Sequence, residues 1–244
     1  MTALVIVPTY NERENILPLV ERLIAHEDVD VLVVDDASPD GTGAVADELA
    51  ARHPGRVGVL HRTANRGFGR SYIDGIKQAI HRPVDVICQM DADFSHDPDR
   101  LPALVAATSH ADVVIGSRYV EGGAIENWPA RRLLLSRFAN AYVRALTGMS
   151  ARDCTSGFRC WRRDALAALP LDRFVSDGYS FLVEMLYVAA RQGKRIAEVP
   201  ITYVERREGQ SKMSRAVIFE SAVTPWRLIA TQGRVRSAPS RAMV

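Results

Sequence analysis

The chain has 244 residues, enough for one large α/β domain or one domain with an extension. Its 47% apolar and 25% charged residues, with 16 Gly and 12 Pro, match an ordinary globular chain and exclude collagen-like, coiled-coil and disordered classes. A net charge of +2 excludes a general nucleic-acid-binding surface, although from residue 206 onward eight Arg and Lys side chains face only Glu208 and Glu220, so the C-terminal end is cationic.

The apolar pattern alternates short β-rich runs with stretches of helical period, the order of a parallel sheet wrapped by helices. Strands are expected at 3–8, 29–34, 57–60, 84–90 and 112–116. Between the first two, Ile16, Leu19, Val20, Leu23 and Ile24 recur at helical spacing and make one apolar face. Val45 with Leu49, then Phe68, Tyr72, Ile73, Ile76 and Ile80, then Leu101, Leu104 and Val105 mark three further helices. The last opens with Asp97 as N-cap and Pro98 in the first helical position. Residues 1–120 therefore read as a nucleotide-binding half.

From 121 to 232 the expected elements are helices at 133–146, 179–191 and 215–229 and a strand at 196–204. No linker separates the halves, so the reading is a single α/β domain over 1–232, a mostly parallel sheet flanked by helices, whose second half builds the far wall of a cleft. Residues 233–244 read as a basic flexible tail. No window of about 18 apolar residues exists and the apolar start lacks a basic flank, so neither a membrane span nor a signal peptide is expected. Cys88, Cys154 and Cys160 form no Cys-x-x-Cys pair. That argues against disulfide stapling or structural zinc and for a reducing, cytoplasmic setting.

In an open parallel sheet, ligands bind beyond the carboxyl ends of the strands. Following the expected strands stand Thr9-Tyr10-Asn11-Glu12, Asp35-Asp36 with Ser38-Pro39-Asp40-Gly41, Asp91-Ala92-Asp93, and Ser117-Arg118. Asp91 and Asp93 are the sharpest signal. Two hard carboxylates directly after an apolar strand suit a Mg or Mn ion that takes its remaining ligands from substrate phosphates. The competing reading, an acidic turn that merely ends the strand, loses ground because Asp36 and Glu12 approach from neighbouring strand ends and repel unless a cation or substrate donors offset them. Ser95 and His96 either complete the metal shell or start the next helix.

Dinucleotide and P-loop fingerprints are missing: Gly67-Phe68-Gly69 has Tyr72 where a third glycine belongs, and Gly41-Thr42-Gly43 has no following Lys-Ser/Thr. The six histidines show no paired metal spacing, and most fall at helix ends or loops where solvation is the plain reading. A metal-held diphosphate leaving group needs no protein acid, and a phosphate acceptor needs no base. A sugar nucleotide and a phosphate acceptor fit this inventory. Arg206, Gly209, Ser211 and Lys212 form a basic loop able to clamp a diphosphate or simply to lie in solvent, and Arg131, Arg132, Ser136 and Arg137 pose the same question beside 133–135.

Taken together, Pro8-Thr9-Tyr10-Asn11-Glu12, Val34-Asp35-Asp36, Asp91-Ala92-Asp93-x-Ser95-His96, Gly116-Ser117-Arg118-Tyr119, Thr155-Ser156-Gly157-Phe158-Arg159 and Arg206-x-x-Gly209-x-Ser211-Lys212 resemble the dolichol-phosphate or polyprenol-phosphate mannose synthases, inverting family 2 glycosyltransferases of the GT-A fold. The resemblance runs in order from about residue 3 to residue 230. It implies that Pro8, Tyr10, Glu12, Val34 and Asp36 hold the guanosine. Asp91, Ala92 and Asp93 would hold the metal, Mg or Mn, and the diphosphate. Arg118, Arg206 and Lys212 would contact GDP-mannose, and Arg132 and Ser136 would receive the lipid phosphate. Asp91, Asp93 and Arg118 are the catalytic candidates. Some members place Gln at the position of Ser95, and several carry C-terminal membrane spans that are lacking here.

The expected function is transfer of mannose from GDP-mannose to a polyprenyl phosphate at the cytoplasmic face of a membrane, reached peripherally or through a partner subunit. Two alternatives remain: the same fold using a UDP-sugar to transfer glucose or an N-acetylhexosamine, and a non-catalytic nucleotide-binding scaffold of a membrane complex. For lipid contact, the segment 217–229, with Ile218, Phe219, Ala222, Trp226 and Ile229 beside Arg215 and Arg227, could lie in an anionic headgroup layer, kinked at Pro225. Packing of that helix on the core is the alternative, and 133–146 is a rival surface.

Overall fold

The first two strands are nearly continuous runs of Val, Leu and Ile, the composition of parallel strands covered on both faces. In the computed structural model, which describes residues 1–64, 66–176, 178–205, 215–235 and 241–242, they become β1 (Ala3–Thr9) and β2 (Val29–Asp35). They pair in parallel from Ala3 opposite Val29 to Thr9 opposite Asp35. Outside β2 lies β3 (Val57–His61), and on the other side of β1 lies β4 (Val86–Gln89), both parallel. The connections are α1 (Arg13–Ile24), α2 (Thr42–Arg52) and α3 (Phe68–Ala79). The expected face of α1 is buried at Ile16, Leu19, Val20 and Leu23. Successive β1 residues serve opposite layers: Leu4 and Ile6 pack with Tyr72 of α3, Val5 and Val7 with Leu19 of α1.

The fifth strand, β5 (Val113–Ser117), does not lie beside β4. Short β6 (Ala124–Glu126) and α5 (Ala130–Thr147) follow it, and then β7 (Arg159–Arg162) inserts antiparallel between β4 and β5. Four residues with Arg at both ends carry too little apolar periodicity to announce a central strand. Asp97 does cap at the expected place, its side chain accepting from Asp99 N at 3.1 Å, but Pro98–Arg100 is a 3-10 turn before α4 (Leu101–Ala107).

A five-residue α6 (Arg163–Ala167) and α7 (Gly178–Arg191) lead to the expected strand 196–204, which is two strands. β8 (Ile196–Pro200) pairs in parallel with β5, and β9 (Thr202–Val204) with β6 in a separate two-stranded sheet. Pro200, which has no N–H to donate, stands at the end of the first strand, before Ile201 bonds to the Ser117 carbonyl. Within the expected tail, Arg241–Ala242 runs as β10 beside β8, giving the order β10-β8-β5-β7-β4-β1-β2-β3, while 236–240, 243 and 244 lie outside the described residues.

The last helix, α8 (Arg215–Gln232), contains Pro225 and packs beside α5, with Leu228 buried and Trp226 exposed; the side chains of Arg215, Ile218 and Phe219 lie outside the described residues. No helix of the described residues is long and apolar enough to cross a membrane. All three cysteines are buried free thiols, yet β4 and β7 set Cys88 opposite Cys160 with their sulfurs 2.8 Å apart, a proximity that sequence spacing does not reveal. The Gly67-Phe68-Gly69 turn opens α3, and Gly69 has a packing reason: a Cβ there would meet the Phe181 ring of α7 at 2.9 Å.

Candidate active site

The carboxyl ends of β1 and β2 bring five expected nucleotide-site residues to one edge. Pro8 sits opposite Val34 in the ladder, and Thr9 Oγ1 donates to Asp35 Oδ1 at 3.2 Å. Glu12 bridges to the next helix, its backbone N–H donating to Thr42 Oγ1 at 3.0 Å while its carboxylate accepts from Asn15 at 2.8 Å. Tyr10 lies under the Arg66 guanidinium, 5.1 Å from the ring centroid. Asp36 accepts from Arg62 Nη1 through one oxygen and from Gly67 N at 2.9 Å through the other. Arg62, its side chain 4% exposed, also donates to Ser71 and to Asp74. Arg62 stands in the loop after β3 outside any motif, and sequence reading missed it.

Asp91, Ala92 and Asp93 follow β4. Asp93 Oδ1 accepts from Ser95 N at 3.1 Å and Ser95 Oγ at 2.5 Å, so Ser95 serves here to hold the acidic turn. Asp91 presses against Gly157, where a Cβ would lie 3.2 Å from its Oδ2, so glycine is what lets the loop before β7 approach. Tyr72 is fully buried nearby. Burial pushes its pKa well above 10, and the charges of Asp91 and Asp93 push the same way, with Arg159 opposing them. Among the described residues no three His, Cys, Asp or Glu side chains converge as a self-sufficient metal site. Two hard carboxylates fit Mg or Mn provided a substrate diphosphate and water complete the shell.

His96 departs from the solvated reading of the histidines. It is 2% exposed, its ring wedged between Phe158 at 5.4 Å and Tyr203 at 5.6 Å, because an isolated bridge ties its backbone to Tyr203. Burial lowers its pKa to about 4, with Arg118 pushing the same way against the pull of Asp93 and Asp153. The fold therefore resists protonating a ring that the unfolded chain protonates near pH 6.5. Stability is whole above that value and falls as pH drops toward 4, by up to about 3 kcal/mol. His96→Phe is expected to flatten this slope, read as denaturant midpoints at pH 7, 5.5 and 4.5.

A cavity of about 350 Å³ runs from Asp91 and His96 past Arg118 to Arg132 and Ser136 of α5, and on between α5 and α8. Arg118 is gripped by Asp153 in a bidentate pair, Nε to Oδ2 and Nη2 to Oδ1 both at 2.7 Å, and also donates to Thr155 at 2.8 Å. Burial alone would lower the Arg118 pKa, and Asp153 reverses that and holds it above the ordinary arginine value. Arg132 stacks on Trp128 at 4.0 Å and donates to Glu205 Oε1 at 2.5 Å. Ser136 Oγ accepts from the Tyr119 hydroxyl at 2.7 Å. Arg131 and Arg137 are exposed and do not line the cavity. On α5 the wall ends in apolar surface, Leu135 and Phe138 being 45% and 67% exposed, and outside the cavity Leu134 of α5 and Trp226 of α8 are exposed as well. Arg206 and Lys212 lie outside the described residues, as do Gly209 and Ser211.

Residues 4–169 match the family model described as Glycosyl transferase family 2. The chain belongs to the family 2 glycosyltransferases. It is 49% identical to an undecaprenyl-phosphate mannosyltransferase of Micrococcus luteus over 94% of this chain and 96% of that one. It is 47% identical to a polyprenol monophosphomannose synthase of Mycolicibacterium smegmatis over 96% of this chain and 89% of that one. The solved structure of a mannosyltransferase from Pyrobaculum calidifontis in complex with GDP-Man and Mn2+ shares the fold, with a TM-score of 0.61, 21% identity, and coverage of 96% of this chain and 65% of that one. The expected GT-A architecture of this family is what the sheet and its flanking helices form.

Besides Arg62, three further site groups of this family 2 glycosyltransferase escaped sequence reading. Asp153 stands just ahead of Thr155-Ser156-Gly157, and its adjacency to that motif was the available signal. Trp128 and Tyr203 form the aromatic wall, 5.3 Å apart edge to face, from elements more than 70 positions apart in the chain. Arg159, quoted only as the end of a motif, is fully buried and donates to the carbonyls of Cys154, Ser156 and Leu182, which pins the loop that carries Gly157. Burial lowers its pKa to about 10, so it stays charged at neutral pH.

Proposed function

We propose that this family 2 glycosyltransferase moves mannose from GDP-mannose to a polyprenyl phosphate with inversion, using Mg or Mn, while lying peripherally on a membrane. The observation that carries the reading is one continuous cavity that starts at Asp91, passes Arg132 and Ser136, and ends between the exposed Leu135 and Phe138 of α5 and the Ser221–Thr224 stretch of α8. A phosphate on a long apolar chain is the acceptor such a path suits. The names of the Micrococcus and Mycolicibacterium relatives support the same acceptor and sugar.

Pro8, Tyr10, Glu12, Val34 and Asp36 would form the guanosine side. Asp91 and Asp93 would hold the divalent ion, which when bound supplies positive charge to the leaving diphosphate. Arg206 and Lys212 would add cations there. Arg118, fixed by Asp153, Thr155 and the aromatic wall, would orient the donor phosphates and sugar between the acidic turn and α5. Arg132 and Ser136 would hold the acceptor phosphate, which is already largely ionised at neutral pH, its second pKa being about 6, and attacks the anomeric carbon without a protein base. Leu134, Phe138 and Trp226 would rest in the interfacial layer.

The test is transfer of labelled sugar from GDP-mannose, UDP-glucose and UDP-N-acetylglucosamine to short polyprenyl phosphates in detergent, with Mg, with Mn and with chelator. Metal-dependent labelling from GDP-mannose is the expected result. Labelling only from a UDP-sugar overturns the donor assignment, and no labelling with any donor leaves the scaffold reading.

A further inference from the structure

The Arg132–Glu205 ion pair occupies the place where an anionic ligand would be received. Arg132 lines the cavity, its guanidinium carbon stands 4.0 Å from the centroid of the Trp128 ring, and its Nη1 reaches Glu205 Oε1 at 2.5 Å. Glu205 follows β9 directly, and β9 is anchored through β6 and the Ser95 carbonyl, so the carboxylate is delivered to Arg132 by a fixed strand. Both partners keep some solvent contact, 24% and 37%, which makes the pair exchangeable. We infer that Glu205 is an intramolecular competitor for the acceptor phosphate: its carboxylate stands in for the phosphate on Arg132 when the site is empty and returns there to help expel the product. The inference rests on the acceptor assignment above.

The charges of the two ligands decide which of them holds the site against the competitor. A phosphate monoester at neutral pH carries a charge of about −1.5 to −2, so its attraction to Arg132 exceeds that of a single carboxylate and displaces Glu205. Transfer forms the bond from phosphate oxygen to the anomeric carbon and breaks the bond from that carbon to the nucleoside diphosphate, which departs with the electron pair. The acceptor phosphate is thereby a diester carrying one negative charge. Displacement of Glu205 weakens binding of monoester and diester by the same factor, because either ligand must first open the pair. The doubly charged acceptor overcomes that penalty and the singly charged product does so less well.

Glu205→Gln tests this with the full chain, a short prenyl phosphate as acceptor and its mannosylated diester as product. The acceptor KM and the product inhibition constant are both expected to fall by about two- to fivefold, the worth of a partly exposed pair, with the KM for GDP-mannose unchanged. In an Arg132→Gln background the same substitution is expected to change neither constant, which separates competition from a merely structural role. An unchanged or raised acceptor KM in Glu205→Gln overturns the inference, as does an equal effect in both backgrounds. Should wild-type protein transfer no sugar to the prenyl phosphate, the acceptor assignment fails instead. Direct titration of wild type and Glu205→Gln with the prenyl phosphate alone then reads the competition without turnover: equal affinities overturn it.

Discussion

Asp91→Asn is expected to lower mannosyl transfer about a thousandfold, the loss of several kcal/mol that follows when charge stabilisation of a leaving diphosphate is removed. Asn keeps the shape that packs against Gly157, so the thermal midpoint should move by only a few degrees. Parallel rate and unfolding measurements check both halves of this expectation. A variant that retains transfer within tenfold of wild type would show that the acidic turn is not where the metal and diphosphate are held.

The second large effect is on the fold itself. Asp153→Asn leaves the buried Arg118 guanidinium without a counter-ion, and breaking a buried pair from one side costs about 3 to 5 kcal/mol. The pair is tied further inward, because the backbone N–H of Asp153 donates to Glu198 at 2.9 Å. Burial alone would raise the Asp153 pKa, but Arg118 and its hydrogen bonds hold it below 3.8. A carboxylate depressed in the fold contributes stability above its unfolded pKa and loses it as pH falls through the folded value. The difference between wild type and Asp153→Asn should therefore be constant from pH 5 to pH 8 and shrink only below about pH 4. Denaturant midpoints across that range measure it, and transfer should fall together with stability because Arg118 loses its fixed orientation.

Much of the first half of the chain was legible because its strands are apolar and consecutive in the chain. The helical face of α1, the cap at Asp97 and the carboxylates at the ends of β1, β2 and β4 all follow from local spacing. What sequence did not give was non-local. β7 enters the centre of the sheet after 41 intervening residues beyond β5, from Ser117 to Arg159, and its four residues carry no strand period. The partner of Arg118 is 35 positions away and that of Arg132 is 73, so each arginine was visible and its carboxylate was not. Burial of His96 comes from the bridge to Tyr203, a contact that loop composition cannot announce. Separation of Arg132 and Ser136 from Arg131 and Arg137 is set by which side of α5 meets the cavity, where Arg132 finds Trp128 and Glu205 and Ser136 finds Tyr119, all partners distant or irregularly spaced in the chain.

The most direct test of the central claim is a crystal structure of the full chain with Mn, GDP and a short prenyl phosphate. The account predicts the ion on Asp91 and Asp93, the acceptor phosphate within hydrogen-bond distance of Arg132 and Ser136 with Glu205 turned away, and the prenyl chain running between α5 and α8. A phosphate bound elsewhere, or an ion that touches neither carboxylate, would contradict it.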